Sequence, residues 1–441
     1  MLLSKNYSCR DKQLIKKEMN PQKKILFVSY GGGHINTILP IYKKCKKNGF
    51  NADLIALTGA KLVTESQNIK SLGFIDFVEE KEREKFRKFG EKIINENYDQ
   101  NSGIDREESI YYLGINWSEN LERYGEEKTK LLYKKIKRHS FLPIKFFEKI
   151  IQKNNYKLVI TTNSPKSERA ALIAANRLNI KSIRLEDLFF EDHLQLEINE
   201  KLGNDFSSSI GKYKSTPSKI FVMCQLTKDM YKLKKKTLLL GTKESDVIVT
   251  GQPILDRLAI NSSSLEIKKQ NNYVLWSHAN RTLDGNEVLN MISFWLEKFS
   301  SNTLPLAIKL HPDCPNEERS YIDKSLLKLS NNYFFIESNL SIEEAIISSK
   351  VLIAQNSTTM LEAFFLRKPS ICLDPKNMRK NIPYLKCGIC QRATNCIELN
   401  DLITKSEEIN DKRFEKIKGQ MGLSLNATEK IFSELKNLIR N

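Results

Sequence analysis

The sequence predicts an α/β protein of two Rossmann-like domains, and three observations predict it. Short continuous apolar runs alternate with helical stretches along most of the chain, the pattern of parallel strands buried on both faces. A strand, glycine turn, helix and strand open the series at Lys24. A second series starts at Tyr273, after the polar, serine-rich stretch Asn261–Asn272, which reads as an interdomain linker.

The 441 residues suffice for two domains with sizeable cores. With 40% hydrophobic and 28% charged residues the chain reads as soluble and globular. It has no apolar run approaching the ~20 residues that span a bilayer. Residues 1–22 lack the apolar core of a secretion signal and read as a polar leader. The net charge of +18 asks for an anionic partner, whether nucleic acid, a membrane face or a small substrate. Lysine is spread along the whole chain, with no basic tail, zinc-finger spacing or RNA-recognition motif. A cytoplasmic enzyme beside anionic lipid therefore fits better than a nucleic-acid partner. The eight cysteines are scattered, unlike a disulfide framework. The one CxxC, Cys387–Cys390, lacks the further ligands of a structural zinc site and reads as a loop with reduced thiols.

In chain order, Lys24–Ser29 is the first strand, Tyr30-Gly31-Gly32-Gly33-His34 the turn, about Asn36–Lys47 the helix, and Ala52–Leu57 the second strand. Gly31, Gly32 and Gly33 let the backbone approach a ligand closely at a helix N-terminus. The spacing is not GxGxxG and no acidic residue stands at ribose distance, so a dinucleotide is not predicted. His34 either satisfies local hydrogen bonds or faces the ligand. Glu79–Asn97 is a charged helix expected to cover the sheet edge or contact another surface. Tyr111–Trp117 is aromatic and Leu121–Phe147 basic and amphipathic, a solvated face or a contact with an acceptor or membrane. Strand Leu158–Thr162, helix Ser167–Leu178 and strand Lys181–Leu185 resume the alternation. Glu186-Asp187 follow at a strand's carboxyl end, where such sheets bind ligands. Either could be a general base or a solvated loop acid. Strands Lys219–Met223 and Asp246–Thr250 come next, the latter running into Gly251-Gln252-Pro253 before a helix.

In the second series Tyr273–Trp276 ends in Ser277-His278-Ala279-Asn280-Arg281. Helix Glu287–Phe299, strand Leu306–Leu310 closed by His311-Pro312, helix Glu317–Leu329, strand Tyr333–Ile336 and helix Ile342–Ser348 lead to the unit Val351–Asp374. There, strand Val351–Ala354, turn Gln355–Thr359, helix Met360–Arg367 and strand Ser370–Leu373 place Ser357, Thr358 and Thr359 where a helix begins. Unpaired N–H groups and the helix dipole would make this a phosphate seat. The plainer alternative is that Ser357 or Thr358 is an N-cap. Glu407–Ile439 is mostly helical and is expected to pack back across both domains.

Through these motifs the central ~400 residues resemble the GT-B class of nucleotide-sugar glycosyltransferases, two Rossmann-like domains facing each other across a cleft. Gly31-Gly32-Gly33-His34 resembles the loop after the first strand of the lipid II-forming N-acetylglucosaminyltransferases. Val249–Asp256 is similar to the end of the N-terminal domain there and in UDP-N-acetylglucosamine 2-epimerase. Lys309-Leu310-His311-Pro312 with Ser357-Thr358-Thr359 resembles the paired HP and serine/threonine motifs of bacterial sialyl-, polysialyl- and Kdo-transferases and of CDP-glycerol polymerases. That resemblance implies that the histidine and hydroxyls hold the donor phosphate, with Glu362 near the ribose. Gly251, Gln252, Ser277, His278 and Arg281 complete the expected donor seat. A histidine, hydroxyls and a helix dipole can neutralise a leaving nucleotide without a metal, and the chain has no DxD motif. In the sialyltransferase-type families an acidic pair followed by glycine supplies the base; here Leu188 follows Glu186-Asp187.

The resemblance thus implies a metal-independent, inverting glycosyltransferase, cytoplasmic and at most peripherally membrane-bound, with no cofactor beyond its nucleotide-sugar substrate. Residues 23–260, with a helical insertion around 79–150, would form the acceptor domain and 270–441 the donor domain. A CMP-activated acidic sugar (sialic-acid-like or Kdo), or else a UDP-sugar, would pass to a hydroxyl of a glycan or lipid-linked acceptor. Asp187 or Glu186 would take the proton, with His34 the rival base. Three other readings stand beside it. One is a UDP-N-acetylglucosamine 2-epimerase, whose second-domain opening Ser277–Arg281 resembles but whose Gly-Thr-Arg and Pro-Glu signature is absent. The others are a CDP-glycerol-type phosphotransferase and a basic, non-catalytic scaffold on a degenerate GT-B fold.

Overall fold

The computed structural model describes residues 23–98, 103–162, 166–186, 216–233, 246–264, 272–279, 284–299, 304–311, 314, 316–329, 332–337, 340–355, 357–380 and 382–440. The leader 1–22, Asp187, Arg281, Pro312 and residues 265–271 of the expected linker lie outside them. The chain divides into two units, Met1–Ile254 with Ser424–Asn441, and Leu255–Leu423.

In the first unit six strands form one sheet: β1 (Lys24–Tyr30), β2 (Ala52–Leu57), β3 (Tyr156–Thr161), β4 (Lys181–Leu185), β5 (Lys219–Val222) and β6 (Val247–Val249). Their order is β2-β1-β3-β4-β5-β6, and each neighbouring pair is parallel. Both faces of such a sheet must be covered. Helix α1 (Gly32–Lys47) covers one, where Ile35, Ile38 and Ile41 cluster with Phe27 and Ile160. The C-terminal helix Ala427–Arg440 adds Ile431 and Leu435 to the same cluster, and Phe432 meets Phe50 edge-on at 5.5 Å. The last helix therefore belongs to the first unit, and the second ends at Leu423 rather than at 441.

The helical insertion covers the opposite face rather than the sheet edge. Leu26, Val28, Ile55 and Val159 pack there with Phe86 of α2 (Glu80–Glu91) and Ile110 and Leu113 of α3 (Arg106–Tyr124). The aromatic run is interior: Tyr111, Tyr112 and Trp117 are all buried. A Glu79/Glu82 capping box starts α2, and the Asp105 carboxylate accepts from the Glu108 N–H at 2.8 Å to start α3. The two helices cross backbone to backbone. A Cβ on Gly90 would stand 2.0 Å from the Ile110 carbonyl oxygen, and one on Gly114 1.9 Å from that of Phe86.

The second unit repeats the plan with β7 (Tyr273–Ser277), β8 (Leu306–Lys309), β9 (Tyr333–Phe335), β10 (Ser349–Ala354), β11 (Ser370–Leu373) and β12 (Cys390–Ala393). The order is β12-β11-β10-β7-β8-β9, again with parallel neighbours. Val288, Ile292 and Trp295 of α5, which follows α4 (Ser167–Arg177) and spans Gly285–Phe299, pack on Val274, Ile308 and Ile353. The CxxC thiols are in no disulfide, but the motif is not all loop: Cys390 opens β12, and both Cys387 and Cys390 are buried. Among the described residues no helix is long and apolar enough to cross a membrane.

The crossing of α2 and α3 makes a paired prediction. Gly114→Ala should lower unfolding stability by about 1–3 kcal/mol, because the helix backbones must move apart. Gly419→Ala, where nothing stands within 4 Å of the added Cβ, should raise it by about 0.5–1 kcal/mol. Urea denaturation of the two variants beside wild type measures both.

Candidate functional site

The chain winds from β7 through β8 to β9 on one side, then places β10, β11 and β12 on the other. The topological switch point, where open α/β sheets bind ligands, thus lies between β7 and β10. Ser277 pairs with Ala354 on one side and Lys309 on the other. Ser277-His278, Lys309, His311 and the Gln355–Thr359 turn consequently share one carboxyl edge. The motifs singled out in the sequence for a donor seat are brought together by three adjacent strands.

His278 is buried, and its N–H donates to the Lys309 carbonyl at 3.0 Å. Its Nε2 lies 3.0 Å from Oε1 of Glu318, in the first turn of α6 (Asn316–Leu327), while Nδ1 has no hydrogen-bond partner. Burial holds the imidazole below its ordinary pKa, against the pull of Glu318 and with the help of His311. Lys309 Nζ donates to the Glu337 carbonyl at 3.2 Å, and burial lowers its pKa. His311 is exposed. Ser357 Oγ accepts from the N–H and hydroxyl of Thr359 at 3.2 and 2.9 Å, at the start of the short helix α7 (Thr359–Phe365). Thr358 is exposed and its side chain caps nothing. In α7, burial pushes the Glu362 carboxyl up to about 7 against the pull of Arg257.

A buried ionic network, unforeseen in the sequence, lies beside β11. Asp374, the residue after that strand, accepts from the N–H groups of Met378 at 2.7 Å and Arg379 at 3.0 Å and from Arg392 Nη1 at 3.2 Å. The Arg379 guanidinium forks onto Asp284, just before α5, with Nη2 2.7 Å from Oδ1. Asp284 and Asp374 are fully buried. The sequence signal was an acid ending a strand, the feature that drew notice to Glu186.

In the first unit the corresponding switch point lies between β1 and β3. Gly31, at φ 99°, is the single residue between β1 and α1, and α1 begins at Gly32 rather than near Asn36. Gly32 and Gly33 are thus helical, and no side chain caps the helix. Glu168, fully buried in the first turn of α4, ties the two strand ends together. Its Oε1 accepts from the Tyr30 N–H at 2.7 Å and its Oε2 from the Thr162 N–H at 2.8 Å. The Thr162 hydroxyl also donates to Oε2 and stands 3.0 Å from His34 Nδ1. With Glu168 ionised, the hydroxyl proton goes to its carboxylate and the oxygen accepts from His34 Nδ1–H. The basic nitrogen of the neutral imidazole is then Nε2. Tyr30 carries Lys166 over its ring at 4.7 Å. Burial raises its phenol, yet Lys166 and Arg138 outweigh that and leave its pKa below the ordinary value.

Gly251, expected in the donor seat, and Glu186, a candidate base, both meet other parts of the first unit. Gly251, at φ 91°, lacks a Cβ because one would stand 2.2 Å from the Ser424 carbonyl oxygen, where the C-terminal segment rejoins the unit. Glu186 is buried beside Arg184, 3.5 Å from its Nη2, and its N–H donates to the Phe221 carbonyl at 2.8 Å. Gln252 is buried.

No family model matches this chain, and no curated protein matches its sequence. Solved structures do match it, at low identity and nearly full length. UDP-GlcNAc 2-epimerase from Neisseria meningitidis bound to UDP-GlcNAc is similar with a TM-score of 0.59 and 15% identity, over 94% of this chain and 100% of that one. MnaA of S. aureus in a co-structure with UDP gives 0.59 and 13%, over 95% and 98%. UDP-GlcNAc 2-epimerase from Methanocaldococcus jannaschii gives 0.56 and 14%, over 94% and 99%. The fold is GT-B. These matches correct the expected chemistry: solved structures that share the fold over nearly the whole chain are UDP-GlcNAc 2-epimerases, which overturns transfer of a CMP-activated acidic sugar as the reading.

Two predictions follow from the side chains at these edges. Thr162→Val removes the hydroxyl between His34 and Glu168. It should release the imidazole from its Nδ1–H tautomer, read as a changed ¹⁵N ring shift pattern, and cost about 1–3 kcal/mol of stability. Glu362 has a folded pKa of about 7 against an ordinary 4.5. The native state therefore binds more protons between those values, so the stability this group contributes is full below the ordinary value and lost as pH rises through 7. Glu362→Gln should gain stability relative to wild type as the pH is raised from about 5 to 8 in paired denaturation curves.

Proposed function

We propose that the chain is a nucleotide-sugar enzyme acting on a UDP-activated N-acetylhexosamine, and that its reaction is inversion at C2 of that sugar. The observation carrying this reading is the likeness over 94–95% of the chain to a 2-epimerase solved with UDP-GlcNAc and to MnaA solved with UDP. The composition of the two strand edges supports it. Inversion at C2 with the C–N bond intact takes a proton from one face and returns one to the other. It needs groups that move protons and a seat for the diphosphate.

In the second unit, Lys309, His311 and the Ser357–Thr359 hydroxyls are the diphosphate-binding set, with His278 buried at the same strand edge, and Glu362 follows in α7. Donors fixed in place before the charge arrives stabilise it without reorganisation. In the first unit, His34 is the proton-handling group, held through Nδ1 by Thr162 and Glu168. The epimerase signature of Gly-Thr-Arg and Pro-Glu is absent, and the chain carries Gly31-Gly32-Gly33-His34 after its first strand. Proton transfer in this chain accordingly falls to its own residues.

The test uses UDP-GlcNAc in D₂O with no acceptor, followed by proton NMR. The expected outcome is deuterium at C2 and appearance of the C2 epimer. UDP at a hundredfold excess over Kd should stabilise the fold by about 2.7 kcal/mol, and CMP should not. His34→Ala should slow the exchange by about 10²–10⁴-fold while keeping the UDP shift. Stabilisation by UDP without exchange at C2 would sink the reaction but keep the ligand; no stabilisation would sink both.

A further inference from the structure

Cys314 and Glu318 have no part in the reading above, yet both sit against His278. The Cys314 N–H donates to the His311 carbonyl at 2.9 Å, which turns the chain after β8 back toward α6. Glu318, one turn into α6, reaches His278 Nε2 at 3.0 Å. One ligand atom each from His278, Cys314 and Glu318 lie within 4.8 Å of one another. Zinc binds nitrogen and oxygen at ~2.0–2.2 Å and sulfur at ~2.3 Å in tetrahedral geometry, which places neighbouring ligand atoms ~3.3–3.8 Å apart. Small side-chain adjustments close the difference.

A second observation is independent of that spacing. The His278 side chain is more than nine-tenths buried, 8% exposed, and its Nδ1 has no hydrogen-bond partner. Nε2–H now donates to Glu318, which leaves Nδ1 a buried acceptor with nothing to accept. A cation on Nε2 moves the ring proton to Nδ1, the tautomer of metal-bound imidazoles, and that N–H then takes an acceptor of its own, such as a water. Without a cation, burial and the neighbouring Glu318 charge push the Cys314 thiol up to about 11.

We propose that His278, Cys314 and Glu318 form a three-ligand site for a divalent transition-metal ion of the zinc type, with a fourth position for water or a substrate oxygen. Thiolate, imidazole and carboxylate together select zinc-like ions over magnesium or calcium, which take oxygen ligands. Charge closes: one thiolate and one carboxylate neutralise one dication. The thiol proton leaves to solvent as the sulfur–metal bond forms. The site departs from the metal-independent chemistry implied by the sequence, and it stands whether or not the sugar is inverted at C2.

The full chain, stripped with chelator, is titrated with Zn²⁺ and separately with Co²⁺. One ion per chain should bind, with proton release and, for cobalt, a thiolate-to-metal charge-transfer band. Second-shell losses alone weaken metal sites by about 10–100-fold, so loss of a ligand in Cys314→Ser should weaken binding at least 100-fold and abolish the band. Glu318→Gln should weaken it with the band retained. A Cys387→Ser/Cys390→Ser chain should bind as wild type does. Absence of saturable binding, or a band that survives Cys314→Ser in a chain with an unchanged apo melting midpoint, overturns the proposal.

Discussion

Every strand described here lies in a parallel sheet, and a parallel sheet tolerates water on neither face. That constraint shapes the first unit more than any single contact. One face is met by α1 and by a helix drawn from the far end of the chain; the other is met by an insertion between β2 and β3. The insertion could have been a surface appendage, as its charge suggests, but Phe86, Ile110 and Leu113 make it half of the core. Its helices approach so closely that glycine is required where they cross.

A second constraint operates at the carboxyl edges. There the strands release polar backbone groups into partly dry surroundings, and a buried charge survives only with partners. Glu168 is held by two N–H groups and a hydroxyl, Asp374 by two N–H groups and Arg392, and Asp284 by a forked guanidinium. These carboxylates position the loops around them. In the first unit Glu168 also holds the hydroxyl that meets His34 Nδ1, so a residue buried for structural reasons positions its neighbour.

The alternation of strand and helix was legible because each inner strand is a continuous apolar run, as in Ile353 and its neighbours. β12 was hidden for the opposite reason: Gln391 and Arg392 are polar, and a sheet edge needs little apolar surface. The strand-end residues His278, Lys309, His311 and Ser357 were legible from local spacing, and the register of β7, β8 and β10 does bring them together. Their partners were not, because the contacts span the chain. His34 meets Thr162 across 128 positions, and Arg379 meets Asp284 across 95. Glycines were ambiguous in principle. Gly31 needs its freedom for a turn, whereas Gly251 needs it for a passing backbone, and a sequence prints both with the same letter. The first choice of donor did not hold because a short histidine-proline and hydroxyl pattern does not by itself separate one nucleotide class from another.

The return of the C-terminal helix has a consequence for how the protein is made. The first unit lacks part of its core until Ser424–Asn441 has been synthesised, after the 169 residues from Leu255 to Leu423 (423 − 255 + 1). At about 5–20 residues per second a ribosome needs roughly ten to thirty seconds for that stretch. Throughout that interval α1 already lies on this face, but the share of the cluster supplied by Ile431, Phe432 and Leu435 is missing, and Phe50 lacks its ring partner. Completion of the first unit thereby waits on synthesis of the second.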